Sequence, residues 1–218
     1  MDSETSLSLR VSLRRQTSRI DSRKFGLAVK RFFDIVFSLV AIVLFFIPCI
    51  FIAAAIWFED RHSPVFCQER IGKCGKPFTL FKFRSMRVDA EKNNRPALYH
   101  ENDERLTRVG RFIRDHHLDE FPQLLNVLRG DMSFVGYRPE RRYFIDRISK
   151  VRPDYERLYA IRPGLFSFAT LYNGYTDTLE KMITRLDMDL DYLERRSLWV
   201  DITIIAKTSI SIVSGKKF

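Results

Sequence analysis

Apolar residues fall along this chain in blocks of different period, and each block predicts a different element. From Ile35 to Phe58 every residue is apolar except Ser38 and Pro48. As one helix the run would be about 36 Å long at about 1.5 Å per residue, enough to cross roughly 30 Å of hydrocarbon. Pro48 falls near its middle, where it removes a backbone hydrogen bond and crowds the preceding turn. The run therefore reads as a helix broken at Pro48, each half too short to cross alone. Residues 63–86 alternate instead. Val65–Gln68 and Phe78–Phe83 read as strands joined by the turn-rich Ile71–Pro77, a β-hairpin. Phe78, Leu80 and Lys82 share one face, and Thr79, Phe81 and Phe83 the other.

Helical spacing returns after a polar stretch, 88–104, that reads as a surface loop. Leu106, Val109, Phe112 and Ile113 predict a helix over 105–117. Leu124, Leu125, Val127 and Leu128 predict another, a further helix should end before Pro153, and Leu179 to Leu193 mark an amphipathic helix over 176–196. Residues 198–213 are rich in Ile and Val. Propensity allows a strand; a helix lying on a membrane surface, followed by Lys216 and Lys217, is the preferred reading. The fold class is α/β, mainly helical.

Charge narrows the partners. The 218 residues carry a net +10, so the partner is anionic: nucleic acid, lipid or a phosphorylated substrate. The apolar run favours membrane over nucleic acid. Arg10, Arg14, Arg15, Arg19, Arg23 and Lys24 precede the run; Arg61, Arg70, Lys73, Lys76, Lys82 and Arg84 follow it. The positive-inside rule puts both flanks in the cytoplasm. A re-entrant helix satisfies that rule, and a Pro-kinked span is the alternative. The basic region before the run is too long for a cleaved signal peptide. Three segments result: a Ser- and Arg-rich mobile tail over 1–29, a re-entrant membrane helix over 30–60, and a cytosolic domain over 61–218. Cys49, Cys67 and Cys74 have no disulfide or zinc spacing and read as reduced thiols.

The chemistry concentrates in residues 115–140. Asp119 and Glu120 precede Phe121-Pro122 and the next apolar-periodic run. Proline suits a first helical turn, which puts the acidic pair at a helix N-terminus. There Asp119 either caps the helix or serves as an ionised nucleophile or a ligand for a hard cation. Lys82 and Arg84, with Lys73, Lys76 and Arg87, are candidates to receive a diphosphate. Arg138, framed by Gly136 and Pro139, is a candidate phosphate fork. His116 and His117 read as exposed helix-end residues.

Ordered motifs join these candidates. The chain carries Phe81-Lys82-Phe83-Arg84-Ser85-Met86, then Asp119-Glu120, Pro122-Gln123-Leu124, Asn126, Gly130-Asp131-Met132-Ser133 and Val135-Gly136-Tyr137-Arg138-Pro139. In this it resembles the bacterial sugar transferases, the monotopic phosphoglycosyl transferases, from about Lys30 to the C-terminus. It departs at Tyr137, where the family usually has Pro, and at Leu165-Phe166-Ser167, where Ile-Thr-Gly is more usual. The resemblance implies a small monotopic enzyme at the cytoplasmic face of a bacterial inner membrane, its helical hairpin re-entrant. It implies transfer of a sugar 1-phosphate from a UDP-sugar to undecaprenyl phosphate, with release of UMP, at the start of capsule, exopolysaccharide or O-antigen synthesis. Asp119 would be the nucleophile and Glu120 the Mg²⁺ ligand; Lys82, Arg84, Gln123, Asp131 and Arg138 would contact substrate. Homodimerisation stays open. Two rival readings are a membrane-anchored basic protein without enzymatic activity and a glycosyltransferase that releases UDP.

Overall fold

The computed structural model describes residues 3–91, 96, 98, 103–173 and 176–214, with side chains from Gly26 onward except Asn173 and Val213. One helix, α1, runs from Ser3 to Asp60 with Pro48 inside it. The helix does not end at Pro48: the lost hydrogen bond is a local defect that the turns on either side carry. Residues 3–29, within the stretch read as a mobile tail, are the first part of the same helix. Before Pro48 the sequence holds one glycine, Gly26, and no other proline, so nothing stops the helix. By length and composition Gly26–Asp60 is enough to cross a membrane. Phe32, Val43, Leu44, Ile47, Phe51 and Phe58 are all exposed along it. An apolar face of that extent calls for a non-aqueous cover.

The hairpin forms as expected and is longer on its first strand. β1, Val65–Ile71, pairs antiparallel with β2, Pro77–Phe83, from Val65 opposite Phe83 to Ile71 opposite Pro77. The alternation of β2 puts apolar side chains to use on both faces. Leu80 is buried against Val127 and Met132, and Phe83 against Ile56 of α1 and Ile113. Ile113 belongs to α2, Arg108–Asp115, and Val127 to α3, Gln123–Arg129. The hairpin is thus held between α3 on one side and α1 with α2 on the other.

Asn126 makes that junction specific. From α3 its Oδ1 accepts the Phe81 N–H at 3.1 Å, while Nδ2 donates to Thr79 O at 2.7 Å and to Asp131 Oδ2 at 3.2 Å. One buried amide therefore replaces a missing neighbour strand for β2. Gly130 ends α3 at φ 92°, the left-handed region that a Cβ would strain. Arg31 then reaches from α1 to the open carbonyls of α3, donating Nη1 to Val127 O at 2.6 Å and Nη2 to Leu128 O at 2.8 Å. A cation there also complements the negative end of the helix.

A second sheet was not visible in the sequence. β3, Ser133–Val135, pairs parallel with β4, Gly164–Phe166. Gly136 lies so close to this pairing that a Cβ would sit 2.4 Å from Arg162 O. The main core packs beneath, between α4 (Arg142–Val151), α6 (Leu179–Arg195) and α7 (Leu198–Val213). Ile145, Ile148, Leu158, Met182 and Leu186 fill it. The short helix α5, Phe168–Asn173, packs against α6. In 198–213 the helix prevails over strand propensity. Ser197 accepts the Val200 N–H at its start, Ile204 is buried on one side, and Trp199, Ile202 and Ile210 remain exposed. Lys216, Lys217 and much of the 88–104 loop, including Glu101, lie outside the described residues. Cys49, Cys67 and Cys74 are free thiols.

Asn126→Leu keeps the volume but strands the Phe81 N–H and Thr79 carbonyl. It should lower unfolding stability by about 2–5 kcal/mol, the range for two buried groups left unpaired. Denaturant titration in detergent checks this, with Asp131→Asn as the milder control.

Candidate active site

The acidic pair lies in a tight turn between two helices. His117 takes φ 55°, a left-handed residue that reverses the chain after α2, and Leu118–Glu120 form a single 3-10 turn. Pro122 occupies the cap position of α3, and no side chain caps that helix. Asp119 is therefore free of the capping role and is buried, at 4% exposure.

Three segments meet at Glu120. Its Oε1 accepts from Lys82 Nζ of β2 at 2.8 Å and from Arg138 Nη2, in the loop after β3, at 2.9 Å. Lys82 Nζ also stands 4.0 Å from Asp119 Oδ2. A second charge knot holds the Arg138 loop. Glu140 is buried and receives Arg70 Nη1 at 3.1 Å and the Arg185 guanidinium, while its carbonyl accepts the Ile71 N–H at 3.0 Å. Arg70 also donates to Pro139 O at 3.1 Å. Behind the loop, Asp189 accepts from Ser167 Oγ at 2.8 Å.

This geometry drives the two dyad carboxyls apart. Burial raises the Asp119 carboxyl and the Glu120 charge adds to that, against a partial offset from Lys82. Burial also pushes Glu120 up, but Arg138 and Lys82 together more than reverse it and hold it well below the usual carboxylate range. Lys82 is lowered by burial, with Glu120 opposing. Neighbouring carboxyls with opposed shifts differ in what they hold: Glu120 keeps its charge more firmly than a free carboxyl, and Asp119 takes a proton more readily than one.

The remaining predicted residues separate. Gln123 is buried at 3% exposure one turn after the dyad, and its Nε2 has no partner among the described residues. A buried amide donor left open in this way suits a ligand oxygen. Asp131 is tied to Asn126 and serves the α3–β2 junction. Arg84 donates Nε to Ser63 O at 2.7 Å. Lys73 and Lys76 sit at the hairpin turn; six residues of extended strand put Lys76 about 20 Å from Lys82. They cannot share one diphosphate with it. His117 was misread: His116 is exposed, but His117 is half-buried, and Asp119 and Glu120 act on its charge. Arg114 likewise acts on Asp119. Their positions two and five residues before Asp119, across one helix end, were the available signal.

Among the described residues no group of three or more His, Cys, Asp or Glu forms a metal cage. Two adjacent carboxylates fit Mg²⁺, which typically takes one or two carboxylates and completes its shell with phosphate and water.

The bacterial sugar transferase family matches residues 25–215, which contain every residue of this site. The chain belongs to that family. It is 36% identical over 187 residues to the UDP-N-acetylgalactosamine-undecaprenyl-phosphate N-acetylgalactosaminephosphotransferase of Aeromonas hydrophila, covering 86% of this chain and 44% of that protein. It is 40% identical over 187 residues to the UDP-glucose:undecaprenyl-phosphate glucose-1-phosphate transferase of Caulobacter vibrioides, covering 85% and 70%. It is 36% identical over 201 residues to the galactosyl transferase CpsE of Streptococcus agalactiae, covering 87% and 43%. The chain thus spans less than half the length of two of these three sugar transferases.

Lys82→Met removes the nearest cation from Asp119. The Asp119 carboxyl should rise further, so a smaller fraction is ionised at any given pH. The acid limb of the kcat/KM profile, which reports the free enzyme, should move to higher pH, with activity regained as pH rises. An unmoved limb would show that Asp119 is not the group titrating there.

Proposed function

We propose that this protein transfers a sugar 1-phosphate from a UDP-sugar to undecaprenyl phosphate, through a covalent intermediate on Asp119. The supporting observation is the buried Asp119 carboxylate, uncapped and 4.0 Å from Lys82, beside a Glu120 already neutralised by two cations. The Aeromonas hydrophila and Caulobacter vibrioides relatives share an undecaprenyl-phosphate acceptor and a sugar-phosphate transfer while differing in sugar.

The ionised Asp119 attacks the phosphorus that carries the sugar. A P–O bond to the carboxylate forms, the bond to the UMP oxygen breaks, and UMP leaves with that electron pair. A phosphate oxygen of the lipid then attacks the same phosphorus, displacing the Asp119 carboxylate and giving the sugar diphospholipid. Splitting the exchange in two replaces one hard displacement by two easier ones. Lys82 and Arg138 hold the phosphate oxygens, as their charged donors already hold the Glu120 carboxylate. Gln123 offers its open amide N–H to an oxygen of the substrate. When bound, Mg²⁺ on Glu120 would neutralise diphosphate charge. Arg84 and Asp131 make contacts within the protein, to Ser63 O and to Asn126, and take no assigned step in this scheme.

The same reading places the protein at the cytoplasmic face of a bacterial inner membrane, at the start of a surface glycan. Support comes from how α1 is tied down. At one end of its apolar stretch Lys30 pairs with Asp201, and Asp34 accepts from Ser133 Oγ at 3.0 Å. At the other end Glu59 accepts the backbone N–H groups of Arg108 and Val109 at 2.7 and 3.0 Å. Both ends are held by one body, whereas a straight span would carry one end to the far side. A monotopic arrangement, with the apolar face sunk into one leaflet, satisfies these bonds.

Two experiments test the proposal. With UDP-sugar and no lipid, quenched wild-type protein should carry a sugar phosphate on Asp119; Asp119→Asn should lose at least about a thousandfold in turnover. UMP, not UDP, should be the nucleotide released, and excess EDTA should stop its release until Mg²⁺ is added back. An adduct at another residue, or released UDP, sinks the mechanism. For topology, single cysteines near the start of α1, in a background lacking Cys49, Cys67 and Cys74, should resist an impermeant thiol reagent on intact spheroplasts. Strong labelling there would mean a true span.

A further inference from the structure

A cavity of about 340 Å³ lies between α1 near Gly26, β3 and the turn from α6 to α7. Asp119 and Glu120 precede α3, while Arg31 and Arg162, in the cavity wall, bind carbonyls at its far end. The cavity and the dyad therefore stand at opposite ends of α3, and no residue of the Glu120 cluster lines the cavity.

Its charges are unevenly satisfied. The acids are engaged within the protein: Asp34 accepts from Ser133 and Phe134, Asp201 from Lys30 and Tyr192, and Glu194 from Arg157. The cations are not all engaged. Arg196 Nη1 is buried with no partner, and Lys73 makes no ion pair among the described residues. Arg162 uses its Nε on Gly130 O at 2.7 Å, which leaves the terminal nitrogens of the fork for another acceptor. A buried charged donor without an acceptor is costly, and an oxyanion relieves it. The other walls are apolar. Leu27 and Leu198 line the cavity and are partly exposed, and Trp199 beside them is 76% exposed. Two exposed leucines in the lining, with an exposed tryptophan next to one of them in the chain, suit the boundary between headgroups and acyl chains.

We propose that this cavity holds the phosphate of an anionic amphiphile, gripped by Arg196, Arg162 and Lys73, with its alkyl part against Leu27 and Leu198. It is a second phosphate site, separate from the reacting one, and its existence does not depend on the chemistry assigned to Asp119. The shared chemistry is a phosphate oxyanion, whose source is either a membrane phospholipid or a soluble phosphate.

The test uses the full chain in nanodiscs of phosphatidylglycerol and phosphatidylcholine, released into a native mass spectrometer, with inorganic phosphate titrated separately by thermal shift in detergent. Wild type should retain phosphatidylglycerol in preference to phosphatidylcholine. Arg196→Gln and Lys73→Gln should each weaken retention about fivefold, the worth of one basic residue at an anionic surface, while Arg196→Lys keeps most of it. Asp119→Asn should retain lipid as wild type does, even where transfer is lost. A melting rise with inorganic phosphate in wild type, absent in Arg196→Gln, would make soluble phosphate the source. Lys73 is exposed on the hairpin turn, so its variant decides the matter should Arg196→Gln fail to fold. Equal lipid retention by wild type and the folded Gln variants, with no phosphate-induced shift, overturns the proposal.

Discussion

The arrangement of this site depends on where the charge of Glu120 goes. A carboxylate taken from water needs opposite charge and hydrogen bonds close by, or it neutralises. Here it takes Lys82, 38 residues earlier, and Arg138, 18 residues later, on a single oxygen. That contact fixes β2, the 3-10 turn and the loop after β3 against one another. Arg138 is in turn held by a loop whose own buried acid, Glu140, sits between Arg70 and Arg185. Cation and acid alternate from one knot to the next. Breaking either by removing one partner would leave an uncompensated buried charge, a far larger loss than the net worth of an intact pair.

Asp119 stands next to this network without being neutralised by it. Glu120 draws Lys82 and Arg138 into contact, and Asp119 keeps the burial, with Lys82 at the edge of contact and Arg114 and His117 acting on its charge. The asymmetry gives two chemically similar neighbours opposite shifts. It also means that a phosphate entering the site competes with Glu120 for Lys82 and Arg138. Glu120 stays in the cluster, so an entering phosphate adds negative charge there, which a further cation must offset.

Local order was legible in the sequence, and long-range pairing was not. Helical spacing located α2, α3, α4 and α6, and strand alternation located the hairpin, because burial on a defined face imposes those periods. The motif order located Asp119, Glu120, Lys82 and Arg138, which the fold does bring together. Three-residue strands such as β3 and β4 are too short to show a period, and a parallel pair needs a partner far along the chain. Arg84 and Lys82 are two residues apart and face the same way in an ideal strand, yet β2 ends between them and Arg84 turns to Ser63. Asp131 belongs to the best-defined motif but spends its carboxylate on Asn126. Proline before a helix suggested an acidic cap, and Pro122 took the cap position itself. Nothing local announces that Arg31 and Asp34, just before the apolar run, bond α3 and β3.

The bonds from Arg31 to the last carbonyls of α3 carry a mechanical consequence. α3 has seven residues, about 10 Å of helix, and α1 runs against both of its ends. Arg31 holds its last carbonyls, and at the other end Phe45 stacks on Phe121, beside the acidic turn, at 4.6 Å between ring centres. α3 works as a strut of fixed length laid along the apolar helix. The position of Asp119 relative to α1 is then set by packing and not by a flexible tether. An unrelated helix of equal hydrophobicity, without Arg31 and Phe45, would leave the strut unseated at both ends.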